Sequence, residues 1–189
     1  MRIAVSGTHC SGKTTLVEDF LATHLDYLHE PEPYEWLEDL YGEVTADEPD
    51  VEQFYRQLEL SVERLRGHGQ GARVIAERSP VDFLAYALAL SDLQRTARDC
   101  SLVASMTELV AAGVSSIDLL VILPLNDVDG IEAPESEDLE LRAAMNDQLL
   151  DLVTTDPYAL FGEGRPRVVE IHGARRQRLR LLERVAQEG

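Results

Sequence analysis

Lysine is almost absent from this chain. Of its 17 basic residues in 189, Lys13 is the single lysine and the other 16 are arginines. That scarcity excludes the Asn-Lys-x-Asp motif with which a guanine-specific GTPase reads its base, since no second lysine exists to complete it. Positive charge is short overall: 35 acidic residues leave a net charge of −18. Nucleic acid and anionic membrane surfaces are therefore not expected partners, because both reward a basic face through counterion release or surface potential. Long apolar runs are missing as well. Nothing reaches the roughly 18 residues a membrane span needs, and Met1-Arg2-Ile3-Ala4-Val5 lacks the apolar stretch of a signal peptide, so the expected location is cytoplasmic. Cys10 and Cys100 are too few for a disulfide framework or a zinc site and should be free thiols. What is present, 44% apolar and 28% charged residues, is the balance of a globular protein, expected as a single domain over residues 1–189.

Along the chain, short apolar runs alternate with helical periodicity. Arg2 to Ser6 reads as a strand ending at Gly7, and Thr14 to Leu25 as a helix carrying Leu16, Val17, Phe20, Leu21 and Leu25 on one side. A brief strand is expected at Tyr27 to His29, followed by a turn or strand exit at Glu30-Pro31-Glu32-Pro33. Val51 to Arg66 is an amphipathic helix ended by Gly67, Gly69 and Gly71; Ala72 to Ala76 is a strand. Ser79, Pro80 and Asp82 supply the cap, first-turn proline and capping-box acid of a helix running to about Leu93. Leu102 to Ala112 reads as a further helix, and the nearly continuous apolar run Ile117 to Leu123 as a central strand. An acidic loop, Asn126 to Glu140, leads into a helix from about Leu139 to Val153. A strand at Arg167 to Ile171 and an arginine-rich helix from about Ala174 to Ala186 close the chain. Such alternation predicts an α/β domain of three layers, about five parallel strands covered on both faces.

The segment Gly7-Thr8-His9-Cys10-Ser11-Gly12-Lys13-Thr14 fits G-x-x-x-x-G-K-[ST] at every fixed position and lies between a predicted strand and helix. Glycines let the backbone turn its N–H groups around phosphate oxygens, and the following helix points its positive end at the same anion. Gly7 through Thr14, with Thr15, are thus the expected nucleotide-binding residues of a P-loop NTPase fold. Lys13 would neutralise the β and γ phosphates of ATP, and the Thr14 hydroxyl would hold Mg²⁺. His9 and Cys10 occupy variable positions and receive no chemical role of their own. Asp127-Val128-Asp129-Gly130 matches a D-x-x-G switch in spacing only.

Three further features combine with the phosphate loop. Glu30-Pro31 follows the second strand with Trp36 close behind, Gln57 and Arg64 lie seven apart on one helix, and Glu77-Arg78-Ser79 ends the third strand. Together, over roughly residues 1 to 90, these resemble the deoxynucleoside kinase and thymidylate kinase group, and the bacterial nicotinamide-riboside-kinase-like (AAA-type) P-loop domains. The resemblance implies a nucleotide-kinase-like fold and a Mg²⁺- and ATP-dependent phosphotransfer to a hydroxyl of a small, nucleoside-like acceptor. It maps the general base to Glu30, with Glu32 and Glu77 as the other candidates, and gives Glu77 the arrangement of Mg²⁺ and its water. Arg78 would steady the acceptor oxygen and phosphate, Gln57 would hydrogen-bond the acceptor, Arg64 would support that contact, and Trp36 would wall the cleft. Each also has a plainer reading: a turn residue for Glu30, a solvated helix face for Gln57 and Arg64, an ion pair for Arg78, core filler for Trp36. The resemblance leaves room for a homodimer. A nucleotide-sensing or ATP-hydrolysing module without an acceptor is the alternative function.

Such kinases close an arginine-bearing lid over the phosphates. Here the expected lid, at about 124–142, holds no basic residue until Arg142. His172-Gly173-Ala174-Arg175 reads as a turn, which the resemblance implies lies beside the adenine, while Arg178, Arg180 and Arg184 read as complements to the dipole at the C-terminal half of a helix. Charge is unevenly spread: residues 15–55 hold 13 acids and no base, and residues 99–164 hold 14 acids and only Arg142.

Overall fold

Apolar segments too short for helices become the strands, and the amphipathic segments between them cover the resulting sheet. The structure, a computed structural model, describes residues 1–42, 49–97, 99–162 and 166–188. Its elements are β1 (Arg2–Ser6), α1 (Lys13–Leu21), β2 (Leu28–Glu30), α2 (Pro33–Tyr41), α3 (Val51–Gly67), β3 (Val74–Glu77), α4 (Pro80–Asp92), α5 (Cys100–Val114), β4 (Leu119–Ile122), α6 (Leu139–Thr154), β5 (Arg167–Glu170) and α7 (Arg175–Gln187). The five strands are all parallel, in the order β2-β3-β1-β4-β5. This is the expected three-layer α/β architecture.

Alternation along each strand divides the core in two. Ile3 and Val5 of β1, Ile75 of β3, and Leu119 and Val121 of β4 face α1 and α7, packing with Leu16, Phe20 and Leu182. Ala4, Ala76, Leu120 and Ile122 face the other way, toward α3, α4, α5 and α6. Every residue of α4 from Pro80 to Leu90 is buried, so this helix is the spine of its layer, wrapped by α3, α5 and α6. Its start carries the expected reciprocal capping box of Ser79 and Asp82.

The differences from expectation have local causes. β4 is interior, but the middle strand is β1, whose neighbours β3 and β4 come later in sequence. Its carboxyl end is therefore the switch point at which α/β sheets open a crevice. The first helix stops at Leu21 rather than Leu25, and Leu25 is 89% exposed. The chain leaves β2 at Glu30, the strand exit expected at Glu30-Pro31-Glu32-Pro33, but the same segment starts a helix that was not expected: Pro33 occupies the first turn of α2 and Gly42 ends it at φ 63°. Proline at the start and left-handed glycine at the end are ordinary helix punctuation, present in the sequence but read there as a break.

α5 crosses α3 and α4 at Gly113, where an added Cβ would lie 2.6 Å from Pro80 Cγ and 2.8 Å from Val62 Cγ2. Gly113→Ala should lower stability by about 1–2 kcal/mol in chemical denaturation, as overpacking outweighs the helix propensity gained. Stabilisation by the same change would show that the crossing is looser than this geometry requires.

Candidate functional site

The loop from Gly7 to Gly12 leaves β1 and delivers Lys13 to the first turn of α1. Gly12 sits at φ 83°, and a Cβ there would meet Arg178 Nη2 and Ile131 Cδ1, each at 2.9 Å. The loop is held from below by Asp82, which is fully buried: its Oδ1 accepts from the Gly7 amide at 2.9 Å, and its Oδ2 from Ser6 Oγ at 2.6 Å and the Ser79 amide at 2.8 Å. One helical turn on, Tyr86 Oη accepts from the His9 amide at 3.0 Å. Sequence reasoning gave Asp82 only a capping role and overlooked Tyr86, because neither contact is local.

Lys13 is 4% exposed and donates to Thr8 O at 3.0 Å, with Glu32 Oε1 3.7 Å away. Burial and the nearby Arg78 charge lower its ammonium to about 8. Thr14 Oγ1 donates to Glu77 Oε2 at 2.7 Å, and the other oxygen of Glu77 lies 2.9 Å from His29 Nε2. A hydroxyl and a carboxylate side by side suit Mg²⁺, which keeps most of its shell as water and phosphate oxygen. Among the described residues no group of three or more His, Cys, Asp or Glu could hold a metal by itself. Ser11 Oγ and Arg78 Nη1 are buried without a partner, two donors beside the loop that an anion would satisfy.

The acceptor-side residues separate. Arg78, at φ 72° between β3 and α4, is 3% exposed, and its Nε donates to Glu32 Oε2 at 2.6 Å. Glu32, Arg78 and Gln57 line a cavity of about 190 Å³ with His9, Tyr34 and Tyr86. Burial pushes the Glu32 carboxyl up, but Arg78 and Lys13 outweigh it and hold the group below its ordinary range. Burial together with Arg78 and Lys13 lowers His9 to about 4, although 48% of its side-chain surface still reaches solvent in the cleft. It is uncharged at neutral pH.

Glu30 points elsewhere. It is bound by Arg64 at 2.6 and 2.9 Å and by His68 at 2.8 Å, and Arg64 in turn lies 3.9 Å over the Trp36 ring. These hydrogen bonds overcome burial to keep Glu30 below its ordinary range. The space beside Glu30, Trp36 and Arg64 is about 10 Å³, too small for a ligand.

On the far side of the loop a second cavity, about 310 Å³, is lined by Gly12, Thr15, Asp129, Ile131, Arg175 and Arg178. Arg178 stands in the first turn of α7 rather than its C-terminal half, is 5% exposed, and donates to Ser11 O at 2.8 Å. Its dipole-complementing role is thus replaced by support of the phosphate loop. Asp129 accepts from the Gly173 amide and Asn126 Nδ2, so it braces the expected adenine-side turn. The lid acids are also not unopposed: Arg95 pairs with Asp138 and Glu140, and Arg142 reaches the carbonyls of His9 at 2.9 Å and Cys10 at 3.2 Å. A larger apolar cavity, about 530 Å³ beside Cys100, Val103 and Tyr158, contains none of these groups.

With this geometry in view, the AAA domain family matches residues 2–165. The chain belongs to that family. No curated protein sequence matches it. Its fold is similar to that of a deoxyadenosine kinase from M. mycoides solved with bound dATP, at TM-score 0.67 and 17% identity over 99% of this chain and 100% of that one. It is similar also to thymidylate kinase from Candida albicans, at TM-score 0.68 and 16% identity over 99% and 91% of the two chains. A NadR protein in complex with NR matches at TM-score 0.64 and 15% identity, over 98% of this chain and 50% of that one. These likenesses establish a nucleotide-kinase-like P-loop fold for this AAA domain.

The lowered Lys13 ammonium gives a phosphate contact at this residue a definite pH dependence. Below about 8 it is charged; above, it is neutral and cannot offset phosphate. Metal-free ADP should therefore bind progressively more weakly as pH rises through 8, by at most about tenfold per pH unit for one proton. Calorimetric titration of the protein and of Lys13→Arg checks this, the arginine variant showing no such slope. A flat profile in the unaltered protein would remove Lys13 from the phosphate contact.

Proposed function

We propose that this AAA domain is a phosphotransferase that moves the γ-phosphate of ATP to a hydroxyl of a nucleoside-like small molecule. The observation that carries the reading is the placement of the phosphate loop between two cavities, one beside Arg178 and Asp129 for the nucleoside of ATP, the other beside Glu32 and Gln57 for an acceptor. A module that only hydrolysed or sensed ATP would have no need of the second.

Glu32, rather than Glu30, is the group suited to take the acceptor proton. It faces the cavity, is held ionised by Arg78 and Lys13, and lies on the same side as Gln57. Glu30 serves as the buried partner of Arg64 and His68, fixing β2 to α3. The unpartnered Nη1 of Arg78 would donate to a transferring phosphoryl oxygen. Gln57 would orient the acceptor, and Tyr86 and Tyr34 would pack against its ring. Thr14 and Glu77 would hold Mg²⁺, which supplies charge neutralisation on the phosphates. Residues 124–142, anchored through Arg142, would form the lid.

The cavity also favours a hydroxyl over a phosphate acceptor. His9 is neutral there, and Arg78, the charged cation lining it among the described residues, is already offset by Glu32. A nucleoside monophosphate would bring two further negative charges to a lining whose cation among the described residues, Arg78, already faces Glu32.

ADP release measured against nucleosides, nicotinamide riboside and nucleoside monophosphates, with Lys13→Ala as blank, tests the activity. A nucleoside or nicotinamide riboside should raise the rate above that with water. If no acceptor does, the hydrolytic reading replaces this one. Glu32→Gln should then reduce kcat by about 10²–10⁴ with ATP affinity little changed, the signature of a group acting in the transition state. Glu30→Gln should lower thermal stability and spare most of kcat. The reverse pattern would return the base to Glu30.

A further inference from the structure

β2 presents its two last residues to opposite faces of the sheet. His29 pairs with Ile75 and Glu30 with Ala76 in the parallel register with β3. Ile75 belongs to the α1 side and Ala76 to the α3 side, so Glu30 meets Arg64 of α3 while His29 shares the α1 face. Two residues beyond Ile75 on that same face is Glu77, and this diagonal neighbour is what His29 contacts: Nε2 lies 2.9 Å from Glu77 Oε1. Facing a carboxylate, this ring nitrogen is the donor.

Glu77 is 3% exposed and has two hydrogen-bonding partners among the described residues, Thr14 on one oxygen and His29 on the other. They are not equivalent. Thr14 is itself a candidate contact of a cation on bound nucleotide, whereas His29 holds the other Glu77 oxygen from outside that contact. His29 itself lines neither cavity flanking the phosphate loop. With 38% of its side-chain surface exposed, it is not a core residue either.

We propose that His29 is a positioning residue for the divalent cation that accompanies nucleotide, acting through Glu77. A carboxylate free to rotate samples directions away from the cation, and an outer donor confines it; loss of such a donor typically costs 10- to 100-fold in metal affinity. The inference rests on the reading of Thr14 and Glu77 as the cation's protein contacts, and does not depend on which acceptor is used.

Mn²⁺ binding in the presence of the non-hydrolysable ATP analogue AMP-PNP, followed by electron paramagnetic resonance of free Mn²⁺, separates the two. His29→Ala should weaken Mn²⁺ about tenfold or more, with metal-free AMP-PNP affinity unchanged. His29→Gln, whose amide can still donate, should recover part of the loss, which a merely structural role would not predict. Mn²⁺ affinity within twofold of the unaltered protein in a folded His29→Ala overturns the proposal while leaving the cation site intact. Failure of the unaltered protein to bind Mn²⁺ with AMP-PNP would instead overturn the Thr14–Glu77 site, and the role of His29 with it.

Discussion

A single buried carboxylate joins the parts of this molecule that must act together. Asp82 accepts hydrogen bonds from the Gly7 amide, Ser6 Oγ, the Ser79 amide and Ser79 Oγ, all inside the protein. Any of these donors left unpaired would cost about 1–3 kcal/mol, so their common acceptor is strongly specified. The end of β1 and the start of α4 are thereby locked in one arrangement. Since Arg78 precedes Ser79 and takes a left-handed backbone, the same lock also sets the position of its guanidinium relative to the phosphate loop. Tyr86, one turn further along α4, repeats the device on His9. Apolar burial on all sides makes α4 rigid, and the site's polar groups are hung from it.

Electrostatics then divide the labour between lysine and arginine. Lys13 is a compact charge under the loop, and burial together with the nearby Arg78 lowers its ammonium to about 8. The arginines hold directed contacts: Arg64 grips Glu30 through two donors and Arg142 the carbonyls of His9 and Cys10 through two, while Arg78 meets Glu32 through Nε and Arg178 meets Ser11 O through Nη1. The acidic stretches that look hostile to a triphosphate in the sequence are partly answered in space. Arg95, just past the end of α4, meets Asp138 and Glu140 at the foot of the lid, and Arg178 lies 3.8 Å from Asp129.

Much of this organisation is legible in the chain because it is local. The phosphate loop is read from glycine spacing, the α4 start from Ser79-Pro80 and Asp82, and the strands from apolar runs whose boundaries hold to within a few residues. Helix α2 is punctuated just as locally, by Pro33 and Gly42, yet Glu30-Pro31-Glu32-Pro33 reads equally well as the turn or strand exit that β2 needs. Gln57 and Arg64, expected to act as a pair on the acceptor side or to share a solvated face, separate: Gln57 is buried and lines the cavity beside Glu32, whereas Arg64, seven residues on, turns to Glu30 and Trp36.

The identity of the phosphate-binding segment, the alternation of strands and helices, and the parallel sheet they imply follow from spacing and composition alone, because each depends on residues within a few positions of one another. The assignment among Glu30, Glu32 and Glu77 does not. Parity on β2 turns Glu30 to α3, the N-cap position of α2 brings Glu32 to Arg78, and the end of β3 brings Glu77 to Thr14 and His29. Likewise, Arg178 reaches Ser11 across 167 positions of chain. Contacts of that range are set by strand order and register, which no local pattern of residues specifies.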